Sequence, residues 1–176
     1  MTLSEALAPV RDARTDEIVV TTMGSAREWP KLSDHPLDFH YIPAAMSHAP
    51  AFALGLALAQ PSRRVICFNG DGSLLMSLGG LVTIVGSGVK NFTMILLDNG
   101  VYEVTGGQKT PARGSPVDFV GLARSAGFAS AASFHQADQW RQAAADRLAQ
   151  PGPAFLHLTI EADHEAGAVP LPGPMP

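Results

Sequence analysis

The chain has 176 residues, 46% hydrophobic, 16% charged and 7% aromatic, with 17 Gly and 14 Pro. That is the composition of one ordinary folded domain, not of a repeat array, a fibre or a disordered tail. The formal charge is −4, and no basic run longer than Arg63-Arg64 exists to hold a phosphate backbone, which argues against nucleic acid as a partner.

In chain order, Met1-Thr2-Leu3-Ser4-Glu5 carries an acid early and no apolar leader, so the mature chain is expected to start here and to be cytoplasmic. A strand is predicted over Glu17–Thr22. The uncharged stretch Tyr41–Ser62 is broken by Pro43 and Pro50, and a small-residue helix is predicted within it over Ala51–Gln60. A buried strand follows over Arg64–Asn69. It contains the single cysteine, Cys67, which can form no internal disulfide, as suits a reducing compartment, and reads as an inert small hydrophobe. The stretch Gly72–Val89 reaches the about 18 residues of a membrane span, yet it holds five Gly and three Ser and directly follows Asp71. It therefore reads as a helix, Leu74–Val85, buried between neighbours, with no membrane partner.

Further on, a strand is predicted over Phe92–Leu97 and a helix over Pro116–Ser125, capped by Ser115 and closed by Gly127. A strand over Ala129–Ser133 leads into a helix starting near Ser133. Gln136 would complete its capping box, with Ala137, Trp140, Ala144 and Leu148 on one face and Trp140 as packing. A last strand spans Ala154–Ile160. The segment 162–176 holds four of the 14 prolines and is expected to be an irregular tail beyond one domain over 1–161. Strands that are short apolar runs, alternating with helices, predict a doubly wound α/β fold with a mainly parallel sheet and helices on both faces. Ligands of such sheets sit outside the carboxyl ends of the strands.

Two strand ends there carry chemistry. The first strand runs into Gly70-Asp71-Gly72-Ser73 and the second into Asp98-Asn99-Gly100-Val101-Tyr102. Glycines beside Asp71 allow close backbone approach, and the N–H groups opening the next helix, with the Ser73 hydroxyl, suit a phosphate. A diphosphate there needs a hard divalent cation, and Asp71, the Asn99 amide oxygen and the Val101 carbonyl fit as its ligands. Either segment alone reads better as a turn of ordinary turn residues; it is their combination that points to a site.

That combination resembles the thiamine-diphosphate motif, Gly-Asp-Gly-X followed after a spacer by Asn, and the resemblance covers essentially the whole chain as one diphosphate-binding domain. Gly-Asp-Gly-Ser-Leu-Leu-Met at 70–76, and Leu-Asp-Asn-Gly-Val-Tyr with Thr-Gly-Gly-Gln within 97–108, look most like the sulfopyruvate decarboxylase beta subunits and phosphonopyruvate decarboxylases. Gly24-Ser25-Ala26-Arg27-Glu28 and Met46-Ser47-His48-Ala49 agree. The departures are Pro43-Ala44-Ala45 where relatives usually have Gly-Ser, Ser47 where Gly is usual, and Glu103 where Gly is common.

The resemblance implies thiamine diphosphate and Mg²⁺ as cofactors. Gly70, Gly72, Ser73 and Tyr102 would lie against the cofactor, Met46 would wedge between its two rings, and the Ala44 carbonyl would accept from its 4′-amino group. A plain core methionine is the other reading of Met46. His48, two residues beyond, is a catalytic candidate, or else a cap of the next helix. The loop Tyr102–Arg113 could close over the site, with Lys109 and Arg113 attracting a sulfonate or phosphonate or merely solvated. His35, His40, His135, His157 and His164 receive no role.

The glutamate that activates the cofactor belongs, in that family, to a separate pyrimidine-binding domain for which this chain has no room. The resemblance thus implies a beta-type subunit of a 2-oxo acid decarboxylase, self-associating and completed by an alpha-type partner chain. Three alternatives stand beside it: a beta subunit of a 2-oxo acid oxidoreductase, disfavoured by the single cysteine; a non-catalytic cofactor-binding subunit; and a phosphate hydrolase with Asp71 as nucleophile.

Overall fold

A computed structural model describes residues 1–40, 46–115 and 117–163. Its helices are α1 (Leu3–Ala13), α2 (Gly24–Glu28), α3 (Ala49–Ala59), α4 (Asp71–Leu75), α5 (Gly79–Gly86), α6 (Phe119–Ala126) and α7 (Ala137–Ala149). Its strands are β1 (Ile18–Thr21), β2 (Asp38–His40), β3 (Val65–Gly70), β4 (Phe92–Asp98), β5 (Val101–Tyr102), β6 (Gln108–Lys109), β7 (Ser130–Phe134) and β8 (Ala154–Thr159). Six of these strands form one parallel sheet in the order β2-β1-β3-β4-β8-β7, and β5 pairs antiparallel with β6 in a small hairpin.

Alternation along the strands divides the core in two. Val65, Cys67, Met94 and Leu96 face α3, α5 and α6, where they meet Ala53, Leu81 and Phe119. Ile66, Phe68, Ile95 and Leu158 face α1 and α7, where they meet Leu7, Val10 and Trp140. With apolar contacts on both faces the central strands carry no polar alternation, which is why they read as uninterrupted apolar runs. Trp140 packs as expected and donates its indole N–H to the Ala6 carbonyl at 2.8 Å. Cys67 is buried, and burial pushes its thiol above the ordinary range.

The five predicted strands are present within one or two residues, and several helix boundaries differ. α3 starts at Ala49, with Pro50 in its first turn, where a missing N–H costs nothing. The helix expected over Leu74–Val85 is two helices. Tight turns, Ser77 N to Leu74 O and Gly80 N to Ser77 O, separate the two, and Gly79-Gly80 open the second. The cap of α6 is Asp118, whose carboxylate accepts from the Gly121 N–H at 2.8 Å, not Ser115, while Gly127 closes the helix in the left-handed region as expected. Ser133 lies inside β7 and bonds His157, so it caps nothing; α7 begins after Gln136 without a side-chain cap. Pro116, Ala44 and the tail from 164 lie outside the described residues, and no described helix is long and apolar enough to cross a membrane.

α1, not among the predicted elements, starts on a Thr2-x-x-Glu5 capping box that forms in full. The end of α1 is tied to β2 through Arg14 and Asp38, whose side chains are 4% and 3% exposed. Arg14 also donates to the Glu17 carbonyl at 2.7 Å, and Asp38 accepts from the Ser33 hydroxyl at 2.6 Å and the His35 N–H at 3.1 Å. Burial alone pushes the Asp38 carboxyl up; the hydrogen bonds and Arg14 outweigh it and hold the group below its ordinary range. An acid with a depressed folded pKa stabilises the protein above its unfolded value of about 4 and loses that contribution as pH falls through the folded one. Asp38→Ala is expected to cost about 3–5 kcal/mol by leaving Arg14 buried and unpaired. Urea unfolding at pH 7 and at descending pH checks both magnitude and sign.

Candidate functional site

The chain leaves β1 toward one side of the sheet and β3 toward the other, so a crevice opens between their carboxyl ends, as in doubly wound sheets. An open cleft occupies this place. It is lined by Thr22–Ser25 after β1, Gly70–Ser73 after β3, and Asn99 with 101–105 after β4; Leu3, Met46 and Ile160 also line it. The two strand tips singled out in the sequence therefore open into one cavity, with Asp71, Asn99 and Val101 on its wall.

Asp71 is the first residue of α4 and is 1% exposed. Its Oδ2 accepts from the Thr110 hydroxyl at 2.8 Å. Burial is the main cause that pushes this carboxyl above its ordinary range; the Thr110 bond opposes it, and the Asp98 charge adds to it. Asn99 Oδ1 accepts from the Val101 N–H at 3.0 Å, a local turn that leaves one lone pair of the amide oxygen. Thr110 N donates to the Gly100 carbonyl at 2.9 Å. By the alternation of an antiparallel ladder, the Val101–Lys109 pair is then the non-bonded one, and the Val101 carbonyl turns out of the hairpin.

The Ser73 hydroxyl gives its proton to Asn69 Oδ1 at 2.6 Å and accepts from the Ser47 N–H at 2.7 Å. Ser73 can therefore offer a phosphate only its backbone N–H. Ser77 Oγ bonds the Ser47 carbonyl at 3.3 Å, so α4 and its following turn hold the Met46–His48 loop from both sides. Ser47 has φ of 69°, in the left-handed region that favours glycine, which accounts physically for the glycine usual at this position. Met46 lines the cleft. His48 is exposed, sits at the N-cap position of α3 without a side-chain cap bond, and does not line the cleft.

A Cβ on Gly72 would overlap the Tyr102 ring and stand 3.2 Å from Thr110 Cγ2, so glycine here lets the hairpin close on α4. A Cβ on Gly70 would meet nothing within 4 Å, so there is free space beside this cleft-lining residue. Lys109 and Arg113 are exposed and do not line the cleft. Glu103 does, but its Oε1 accepts from the Asp163 N–H at 2.8 Å, so it holds the C-terminal segment at the rim.

Sequence reasoning missed three residues. Thr110 is one. The others are Thr22 and Asn69, 2% and 1% exposed, whose Oγ1 and Nδ2 have no hydrogen-bond partner among the described residues. Continuing the β1–β3 register beyond Val20 and Cys67 puts them side by side at the crevice. Buried polar atoms left without partners are rare in a finished fold, and a ligand in the cleft would satisfy them. The strand-end position of Thr22 and Asn69 was a usable signal; Thr110, in a turn-rich loop, offered none.

Residues 20–158 match the protein-family model described as thiamine pyrophosphate enzyme, C-terminal TPP binding domain. The chain is 38% identical over 158 residues to sulfopyruvate decarboxylase subunit beta of Methanothermobacter thermautotrophicus, covering 89% of this chain and 80% of that one. It is 40% identical over 146 residues to phosphonopyruvate decarboxylase of Streptomyces viridochromogenes, covering 82% of this chain and 36% of the relative. Its fold matches benzoylformate decarboxylase from Polynucleobacter necessarius with a TM-score of 0.76 at 19% identity, over 93% of this chain and 34% of that one. The chain thus spans about a third of the last two proteins and most of the first.

Proposed function

Since this chain belongs to the thiamine pyrophosphate enzymes, as their C-terminal TPP-binding domain, we propose that it is the beta-type subunit of a Mg²⁺- and thiamine-diphosphate-dependent decarboxylase. Its substrate would be an acidic 2-oxo acid of the sulfopyruvate or phosphonopyruvate kind. The observation that carries this reading is that Asp71 and Asn99, from the tips of neighbouring strands, line one cleft with a buried carboxylate held on only one oxygen by a side chain. The donor set fits the ion: one carboxylate, one amide oxygen and one backbone carbonyl are hard oxygen ligands of the kind Mg²⁺ takes, with phosphate oxygens and water supplying the rest of its shell.

When bound, the cofactor supplies an electron sink for the bond broken as carbon dioxide leaves. The protein's part is to hold and shape. Asp71, Asn99 and the Val101 carbonyl would hold the cation, and the backbone at Gly70–Ser73 would approach the diphosphate. Met46, on a loop pinned by Ser73 and Ser77, would support the rings, and the Ala44 carbonyl would accept from the 4′-amino group. Tyr102, packed on Gly72, would exclude water from the diphosphate end. His48, two residues beyond Met46, is exposed and outside the lining of the cleft, so a catalytic part for it would need a substrate that reaches beyond the cleft. An alpha-type partner chain would bring the activating glutamate, and the name subunit beta carried by relatives supports that.

Calorimetry on the full chain tests the reading. Thiamine diphosphate is expected to bind when Mg²⁺ is present and to be released by a chelator; a chain that binds neither together would overturn it.

A further inference from the structure

The hairpin of β5 and β6 ends on Thr110, which is 2% exposed. Its backbone is held on both sides: the N–H donates to the Gly100 carbonyl at 2.9 Å, and its own carbonyl accepts from the Arg113 N–H at 3.0 Å. With the main chain fixed, the hydroxyl has one proton to place, and it gives that proton to Asp71 Oδ2 at 2.8 Å. Its methyl group is packed where a Gly72 side chain would otherwise stand. One residue therefore touches both strand-tip turns. It reaches Asp71 through its side chain, and the peptide between Asn99 and Val101 through its main chain.

We infer that Thr110 is a positioning residue that aims the Asp71 carboxylate at the cation and clasps the two ligand-bearing turns at a set separation. The inference rests on the reading of the cleft as a Mg²⁺–diphosphate site. A hydroxyl is suited to this task because it orients a carboxylate without neutralising it. A lysine or arginine in the same place would supply a competing positive charge, and an apolar residue would leave a buried carboxylate oxygen without its donor. Thr110 holds Oδ2 on the hairpin side, and the backbone N–H groups of Asp71 and Gly72 also act on the carboxylate. Partners that orient metal ligands in this way are worth about 10–100-fold in metal affinity.

Two substitutions separate orientation from packing. Thr110→Val keeps the volume and loses the hydroxyl; Thr110→Ser keeps the hydroxyl and loses the methyl. Mg²⁺ is titrated calorimetrically into the full-length chain in the presence of thiamine diphosphate, and the metal-free melting temperature is recorded for each variant. Thr110→Val is expected to weaken Mg²⁺ binding about 10–100-fold and Thr110→Ser to return it close to wild type. Should Thr110→Val fail to fold, Thr110→Ser still decides, because the hydroxyl alone must sustain binding. Wild-type affinity in Thr110→Val, or a loss in Thr110→Ser as large as in Thr110→Val, overturns the clasp while Asp71→Asn still abolishes binding. A wild-type chain that takes up no Mg²⁺ with thiamine diphosphate overturns the reading of the cleft itself, and the clasp with it.

Discussion

Asp71→Asn is expected to abolish Mg²⁺-dependent binding of thiamine diphosphate and, at the same time, to raise the melting temperature of the metal-free protein. Both effects come from the same burial. Asp71 is almost fully enclosed, and burial with the nearby Asp98 charge raises its carboxyl above the ordinary range despite the Thr110 bond. A carboxyl with a raised folded pKa is held as the acid more firmly in the folded chain than in the unfolded one. As pH rises from the ordinary carboxylate range through the folded value, ionisation is therefore resisted by the fold, and metal-free stability falls. Asparagine removes that loss at neutral pH while keeping the shape and an acceptor for Thr110. A relief of 1 kcal/mol corresponds to about 2–4 °C in a domain of this size. The cation, by contrast, loses its only carboxylate ligand, a larger change than the about 10–100-fold that follows from removing a ligand's hydrogen-bond partner. Calorimetry and thermal denaturation of the same preparations read both; retained cofactor binding in Asp71→Asn would defeat the assignment of Asp71.

The second large effect concerns the proposed alpha-type chain. Decarboxylase activity of the chain by itself is expected to stay at background and to rise by about 10²–10⁴-fold, the worth of a positioned general acid–base, when the alpha-type chain is added. The glutamates within the described residues are otherwise engaged. Glu5 closes the cap of α1, Glu17 accepts from the Thr15 N–H, Glu28 pairs with Lys31, and Glu161 lies 3.9 Å from the chain's amino terminus. Glu103, the one among them that lines the cleft, is bonded to Asp163. Carbon dioxide release from sulfopyruvate, phosphonopyruvate and neutral 2-oxo acids, measured with and without the partner chain, is the assay. Full turnover by the isolated chain would show that the activating group is already in this molecule.

Much of this site was legible because its signals are local. A strand buried on both faces announces itself as an apolar run, and Gly-Asp-Gly or Asp-Asn-Gly at the end of such a run marks where the chain leaves the sheet. The β2 strand, three residues long at the sheet edge, is too short to show a period. The break between α4 and α5 was hidden because glycine and serine inside an apolar stretch suit a buried helix and a tight turn alike.

By itself the sequence determined the alternating architecture, the order of the two chemical strand ends and the family to which their spacing belongs. Periodicity and turn chemistry act over a few residues and survive in one dimension. Only the tertiary structure decided which polar groups are neighbours: Thr110 with Asp71 across 39 positions, Thr22 beside Asn69, the Ser47 N–H on Ser73, and Glu103 turned to Asp163 instead of to a substrate. Those pairings depend on sheet order and on how the hairpin folds back over α4. No local propensity records them, because each partner is an ordinary turn or strand-end residue until the fold brings the other one to it.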